Sequence, residues 1–275
     1  MNIRSILALV LTLPLLSADG KPLILKFRGN EGLVREYSFS YSSMSVEVSG
    51  KKKVNEQKRT FMQIIERVLS TDPEGTMEME VDFEKVSAYR FKKKTNPPFF
   101  PSLSSKMTSS GNLRDIKTVN PFDVSPGSPL PPYKEYMGSL EFPRVPVEEK
   151  DAWQYENKVL LPFNVIQNTM ITATFKGMGE YRGRRCALIE TRYKTQIPQV
   201  YGPLQQGLYI SGTAQRRAES CFNAAAGEVL RTKGETTYNL TVTNLTAASP
   251  GVPPSQSLFY LEEKFTISLV KKLTE

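Results

Sequence analysis

Met77-Glu78-Met79-Glu80-Val81-Asp82-Phe83-Glu84 alternates without a miss, apolar at the odd positions and acidic at the even ones. On a strand, successive side chains point to opposite faces, so this segment has one oily and one acidic face. A helix, with 3.6 residues per turn, would smear the two sets around its circumference. The run therefore predicts a strand with one face on a core and the other in water, the pattern of an antiparallel sheet.

Working backward, Asp72-Pro73-Glu74-Gly75 has turn chemistry, and Thr60 to Leu69 reads as the strand that pairs across it. Earlier still, Leu23 to Phe27 reads as a strand. Tyr37, Phe39 and Tyr41 alternate, and Met44, Val46 and Val48 continue with the phase shifted by one. A bulge at Ser42-Ser43 would produce that shift. Gly50-Lys51-Lys52-Lys53 reads as a charged turn. Working forward, Asn96 to Pro101 is too proline-rich for a central strand, and Lys106 to Thr118 reads as a hairpin turning at Gly111-Asn112. Prolines crowd Pro121 to Pro146, the mark of a linker.

Beyond it, strands are expected over Asp151 to Leu161, Asn168 to Phe175, Arg184 to Thr195, Leu208 to Phe222, Glu228 to Thr246 and from Phe259 onward. Turns are expected at Gly177 to Gly183 and near Gly227, and loops over Gln196 to Gln206 and Ser249 to Ser257. Helical periodicity is missing throughout. The fold class that follows is mainly β, with antiparallel curved sheets or open half-barrels in two similar halves. Thr60 to Tyr89 and Asn168 to Tyr193 share a strand, Gly-turn, strand order, and Lys106 to Arg114 resembles Ser220 to Arg231. A duplicated β unit accounts for both, as would chance among amphipathic strands. The expected organisation is a signal peptide (1–18), a first module (19–120), a Pro-rich linker (121–150) and a second module (151–275).

The leader has a basic start at Arg4, an apolar run from Ile6 to Leu16 and small residues Ser17-Ala18. That is a signal peptide with cleavage after Ala18; the other reading is an uncleaved core strand. The apolar run is too short for a membrane anchor, and no later segment reaches that length. The 275 residues carry a net charge of +8 and no histidine. Anionic partners are favoured, while the commonest general base and metal ligand is missing. No nucleophile motif stands out. Gly177-x-Gly179-x-x-x-Gly183 leads into a strand, whereas a nucleotide loop opens a helix. Tyr89 and Lys93 have a reductase-like spacing without any cofactor fingerprint. No cofactor, metal or enzymatic activity is expected.

Cys186 and Cys221 are the only cysteines. Their numbers sum to about what residues paired across a hairpin centred near Tyr201 would give, so a disulfide is expected in an oxidising compartment, contributing about 2–4 kcal/mol.

Phe142, Pro143, Pro146, Val147, Asp151 and Trp153 together resemble a motif of uncharacterised exported bacterial β-rich proteins, with Lys150 where that motif has glycine. Met107, Gly111 and Leu113 before it, and Phe222, Asn223 and Gly227 after it, also correspond. The resemblance implies a fold and a compartment and no mechanism. Asp151 would be a turn residue and Trp153 a core anchor.

Lys51, Lys52 and Lys53, Lys92, Lys93 and Lys94, and Arg182, Arg184 and Arg185, joined by Lys58, Arg59, Arg216 and Arg217, could sum to a patch for an anionic partner. Solvated strand ends are the alternative. Nucleic acid is not expected, since no aromatic platforms interleave with the charges. Asn239-Leu240-Thr241 and Asn244-Leu245-Thr246 fit the glycosylation sequon. The functional expectation is an exported, periplasmic or extracellular, non-enzymatic protein that holds a hydrophobic ligand such as lipid in a curved sheet. The alternative is a module engaging an anionic envelope component through basic loops.

Overall fold

The computed structural model describes residues 22–119, 140–201, 208–244 and 255–274. The expected signal peptide, most of the Pro-rich linker, the loop tip after Tyr201 and the start of the Ser249–Ser257 loop lie outside them, as does the end of the second sequon.

Twelve strands account for the described fold: β1 Leu33–Ser49, β2 Lys52–Thr71, β3 Met77–Arg90, β4 Lys93–Thr95, β5 Leu103–Met107, β6 Leu113–Thr118, β7 Ala152–Leu161, β8 Val165–Tyr181, β9 Arg184–Tyr201, β10 Leu208–Asn223, β11 Glu228–Asn244 and β12 Ser255–Thr274. They make one antiparallel sheet, curved and not closed into a barrel. Its order is β6-β5-β3-β2-β1-β12-β11-β10-β9-β8-β7, with β4 on β3. The first and last long strands therefore meet in the middle. β1 pairs β12 from Leu33 with Thr274 to Val48 with Leu258, which makes the two halves wings of a single sheet.

The organising strand behaves as its pattern dictates. Met77, Met79 and Val81 are fully buried, whereas Glu78 and Glu84 are exposed. Its hairpin closes with Asp72 as hub, accepting the Thr76 N–H on Oδ1 and taking the Gly75 N–H on its carbonyl.

Four expectations need correction. Leu23 to Phe27 is no sheet strand: Leu23 forms one isolated bridge with Val147, and the N–H groups of Phe27 and the next residue, Arg28, go to the loop carbonyls of Ser109 and Gly227. No bulge falls at Ser42-Ser43, because β1 pairs β2 in unbroken register there. The phase changes because the inner face itself turns polar, with Ser43 buried opposite Glu263 and Met44 pointing outward. Gly177 to Gly183 is not one turn. β8 runs on to Tyr181 through a bulge near Gly177, and the turn is Arg182-Gly183, both at positive φ (50° and 74°), as a tight two-residue hairpin requires. Finally, Gln196 to Tyr201 extends β9 instead of forming a loop.

One core fills the space between the wings at one end of the sheet. Phe27 and Phe142, from segments outside the strands, stack at 5.1 Å between ring centroids, and Phe222 of β10 meets both, at 5.1 and 4.5 Å. This plug rests on Gly111, where an added Cβ would lie 2.3 Å from the Leu140 carbonyl and 2.6 Å from the Phe27 ring. The loops at Ser109 and Gly227 flank the plug side by side, accepting the N–H groups of Phe27 and Arg28.

Candidate functional site

The second wing curls around an apolar interior of its own. Val159 and Leu161 of β7, Ile171 of β8, Tyr193 and Ile197 of β9, and Ile210 and Ala214 of β10 are buried there. So are Tyr238 and Leu240 of β11. Each occupies alternate positions of its strand, and the register places them on one face. The curl brings the two ends of this wing together. Phe163, at a positive-φ turn after β7, meets Phe259 of β12 edge to face at 5.4 Å, although four strands separate β7 from β12 in the sheet. Side chains rather than backbone hydrogen bonds close this interior. Two polar atoms in its lining, Thr169 Oγ1 and Gln167 Oε1, are buried without a hydrogen-bond partner.

A polar belt separates this interior from the plugged core. Glu263 of β12 accepts hydrogen bonds from the hydroxyls of Tyr41 (2.8 Å) and Tyr238 (3.3 Å). Burial pushes its carboxyl above the usual range, against the pull of the two tyrosines and Arg216. Arg216 is itself buried and lies 4.8 Å over the Phe265 ring, a favourable cation–π position.

Nearer the plug, five charges interlock across the seam. Arg35 binds Glu66 at 2.6 Å and faces Glu228 at 3.6 Å; Glu228 also holds Lys272 at 3.1 Å and Arg184. Arg35 donates to the Arg28 carbonyl as well. Burial raises the Glu228 carboxyl, but hydrogen bonds from Arg184 and Lys272, with the nearby charge of Arg35, outweigh it and hold the group below its usual value. Sequence reading missed both clusters. The available signal was a charged residue in the apolar phase of a strand, as Glu66 is after Met62 and Ile64.

The structure splits the basic residues singled out above. Lys51, Lys52, Lys53, Lys92, Lys93 and Lys94 are exposed and lie toward one end of the first wing, because Lys58 pairs Arg90 and the Phe91 N–H reaches the Gln57 carbonyl. Arg182, Arg184 and Arg185 lie at the opposite, plugged end of the sheet, with Arg184 spent on Glu228. Arg216 faces the interior, and Arg217 pairs Glu190 at 2.6 Å. Cys186 and Cys221 form a disulfide with Cα atoms 5.4 Å apart. The two are diagonal neighbours, since Cys221 sits opposite Leu188 in the register. Val147 is buried and bridges Leu23, with Pro146 exposed beside it. The Asp151 carboxylate accepts the Glu148 N–H at 2.8 Å, and the Trp153 indole donates to the Glu141 carbonyl at 2.6 Å.

On the outer face a shallow groove of about 280 Å³ runs along the seam, lined by Ser40, Ser42, Arg59, Lys233, Lys264 and Thr266 among others. Among the described residues no group of three or more Cys, Asp or Glu is placed to hold a metal, and no helix is long and apolar enough to cross a membrane.

No family model matches the chain, and no curated protein matches it in sequence. Among solved structures, one titled for lipid–protein interactions in lipovitellin is similar over 89% of this chain and 26% of that chain, at 11% identity and a TM-score of 0.49. The chain thus spans about a quarter of the lipovitellin chain. A DUF1329 family protein from Desulfovibrio piger is similar over 88% of this chain and 86% of its own, at 10% identity and a TM-score of 0.19. An outer membrane lipoprotein-sorting protein domain from Vibrio parahaemolyticus is similar over 87% and 85%, at 8% identity and a TM-score of 0.18. At these scores none of them assigns a family or an activity to this chain.

Proposed function

We propose that the chain is an exported, non-catalytic binding protein that holds a hydrophobic ligand, a lipid or comparable amphiphile, on the inner face of its second wing. The observation that carries this reading is the side-chain closure of the wing. An apolar interior shut by Phe163 against Phe259 can part without breaking a strand ladder, unlike a hydrogen-bonded barrel. Sites for hydrophobic ligands are concave and mostly apolar, with a few polar groups that fix orientation. Thr169 Oγ1 and Gln167 Oε1, buried and unpartnered, would meet the ligand's polar end. Export is supported by the leader's three-part pattern and by the disulfide, which persists where thiols are oxidised.

The test is extraction of the purified chain with organic solvent, followed by mass spectrometry of the extract and uptake of a fluorescent fatty acid by the stripped protein. Co-purified lipid, or saturable uptake that rises in midpoint at least tenfold in Ala214→Trp, is the expected result. Ala214 is fully buried in the interior, so an indole there would compete with a bound chain for the same apolar face. A stripped, folded protein that takes up no probe and shows no thermal shift with it overturns the reading.

A further inference from the structure

We propose that the free end of the first wing is a docking surface for an anionic lipid bilayer. This goes beyond the ligand reading and does not depend on it. Two lysine runs about 40 residues apart in sequence converge there by register. The Phe91 N–H is bonded to Gln57, and Lys53 lies four residues further along β2, about 13 Å at the usual strand rise. Of the nearby carboxylates, Glu56 is engaged by Lys58 and Arg90 and Glu262 by Lys264, while the exposed Glu47, opposite Val54, offsets one of the six lysine charges. Lys51, Lys52, Lys53, Lys92, Lys93 and Lys94 have no ion-pair partner among the described residues. They present a concentrated positive end.

Charge alone would suit any polyanion. What selects a bilayer is the apolar surface set among the lysines. Phe91 is 50% exposed, and Met44 (46%) and Leu258 (63%) are exposed on the outer face, with Val54 (44%) on the inner face of the same sheet end. Val48 sits between Lys53 on one side and Leu258 on the other. Large apolar side chains in water gain nothing from a soluble polyanion; they gain when seated at the boundary of acyl chains, while lysines at their rim meet anionic headgroups.

The experiment is co-sedimentation of the purified chain with vesicles of phosphatidylcholine alone or mixed with phosphatidylglycerol. Binding to the mixed vesicles only, weakened by salt, is expected. Lys51→Glu, Lys52→Glu and Lys53→Glu together should lower it about 100-fold, at roughly fivefold per lysine. The same number of reversals at the other end, Lys26→Glu, Lys176→Glu and Arg182→Glu, should leave it unchanged. Phe91→Ser with Leu258→Ser should lower vesicle binding at least tenfold and leave retention on heparin unchanged. Both side chains are exposed, so this pair decides the matter even if the charge reversals misfold. No sedimentation, equal loss from reversals at either end, or vesicle binding indifferent to the apolar pair would each overturn the proposal, the last in favour of a soluble polyanion or acidic protein. A chain that binds these vesicles but takes up no fatty-acid probe would uphold the docking surface and sink only the ligand reading.

Discussion

Glu263 and Glu228 are both carboxylates on the inner side of the sheet, yet their surroundings drive them apart. At Glu263 desolvation outweighs two tyrosine hydroxyls and Arg216, so the proton is held more tightly in the folded chain than in the unfolded one. Linkage then gives a stability contribution fully present below the ordinary value of 4.5 and lost as pH rises through the raised folded value. Glu263→Gln keeps an acceptor for Tyr41 and Tyr238 and removes the charge. It should raise the urea midpoint at pH 7 and leave it unchanged at pH 4, and an equal drop at both values would show that the carboxylate is not the strained group. Glu228 runs the other way. Although burial opposes ionisation, Arg184, Lys272 and Arg35 depress its folded value, so its contribution is present above 4.5 and is lost as pH falls through the depressed value. Its side chain has no exposed surface, and of its three cations only Arg35 is buried and keeps Glu66, so Glu228→Gln should cost about 1–3 kcal/mol by urea denaturation at neutral pH.

At the scale of elements, the plug decides more than its length suggests. Phe27→Ala removes one of three mutually packed rings and should destabilise by about 3–5 kcal/mol. Gly111→Ala should be comparably severe, since the backbone there sits at a φ of 96° and a methyl group would strike the Leu140 carbonyl. A melting temperature unmoved by either change would mean that residues 22–32 and 140–147 only decorate the core. This is also where sequence reading ran out. Alternation identified β3 and most of its neighbours, because a half-buried strand writes its period into the chain. It could not tell that Leu25 and Phe27, equally alternating and equally buried, lie outside the sheet, with the Phe27 N–H on the Ser109 carbonyl instead of a neighbouring strand. Nor could it read the polar stretch of β1. Ser43 takes an inner position and Met44 an outer one, with Glu263 opposite Ser43, and a partner over 200 residues away leaves no local trace. The disulfide was legible because a hairpin constrains the sum of paired residue numbers to within the diagonal offset that the register shows.

For the molecule as a whole, the β1–β12 seam sets what folding alone can mean for either wing. A chain of two modules joined by a linker would unfold in two steps, each wing keeping its own core. Here the plugged core draws Leu33, Tyr37 and Phe39 from β1, Ile267 and Leu269 from β12, and Ala218 and Phe222 from β10 into one cluster. The interlocked charges also take members from both wings. Severing the seam would expose the longest strand ladders on both sides at once, and unpaired edges are a liability that sheets avoid. Calorimetry of the intact chain should therefore give one transition. Ile267→Asp, a charge placed at a fully buried position of the seam, should abolish it for both wings together. Residues 151–275 expressed alone should lack a cooperative transition, having lost β1 as the neighbour of β12. Two resolved transitions in the intact chain, or a cooperative melt of the isolated second wing, would show that each wing's own packing suffices and that the seam only joins finished domains.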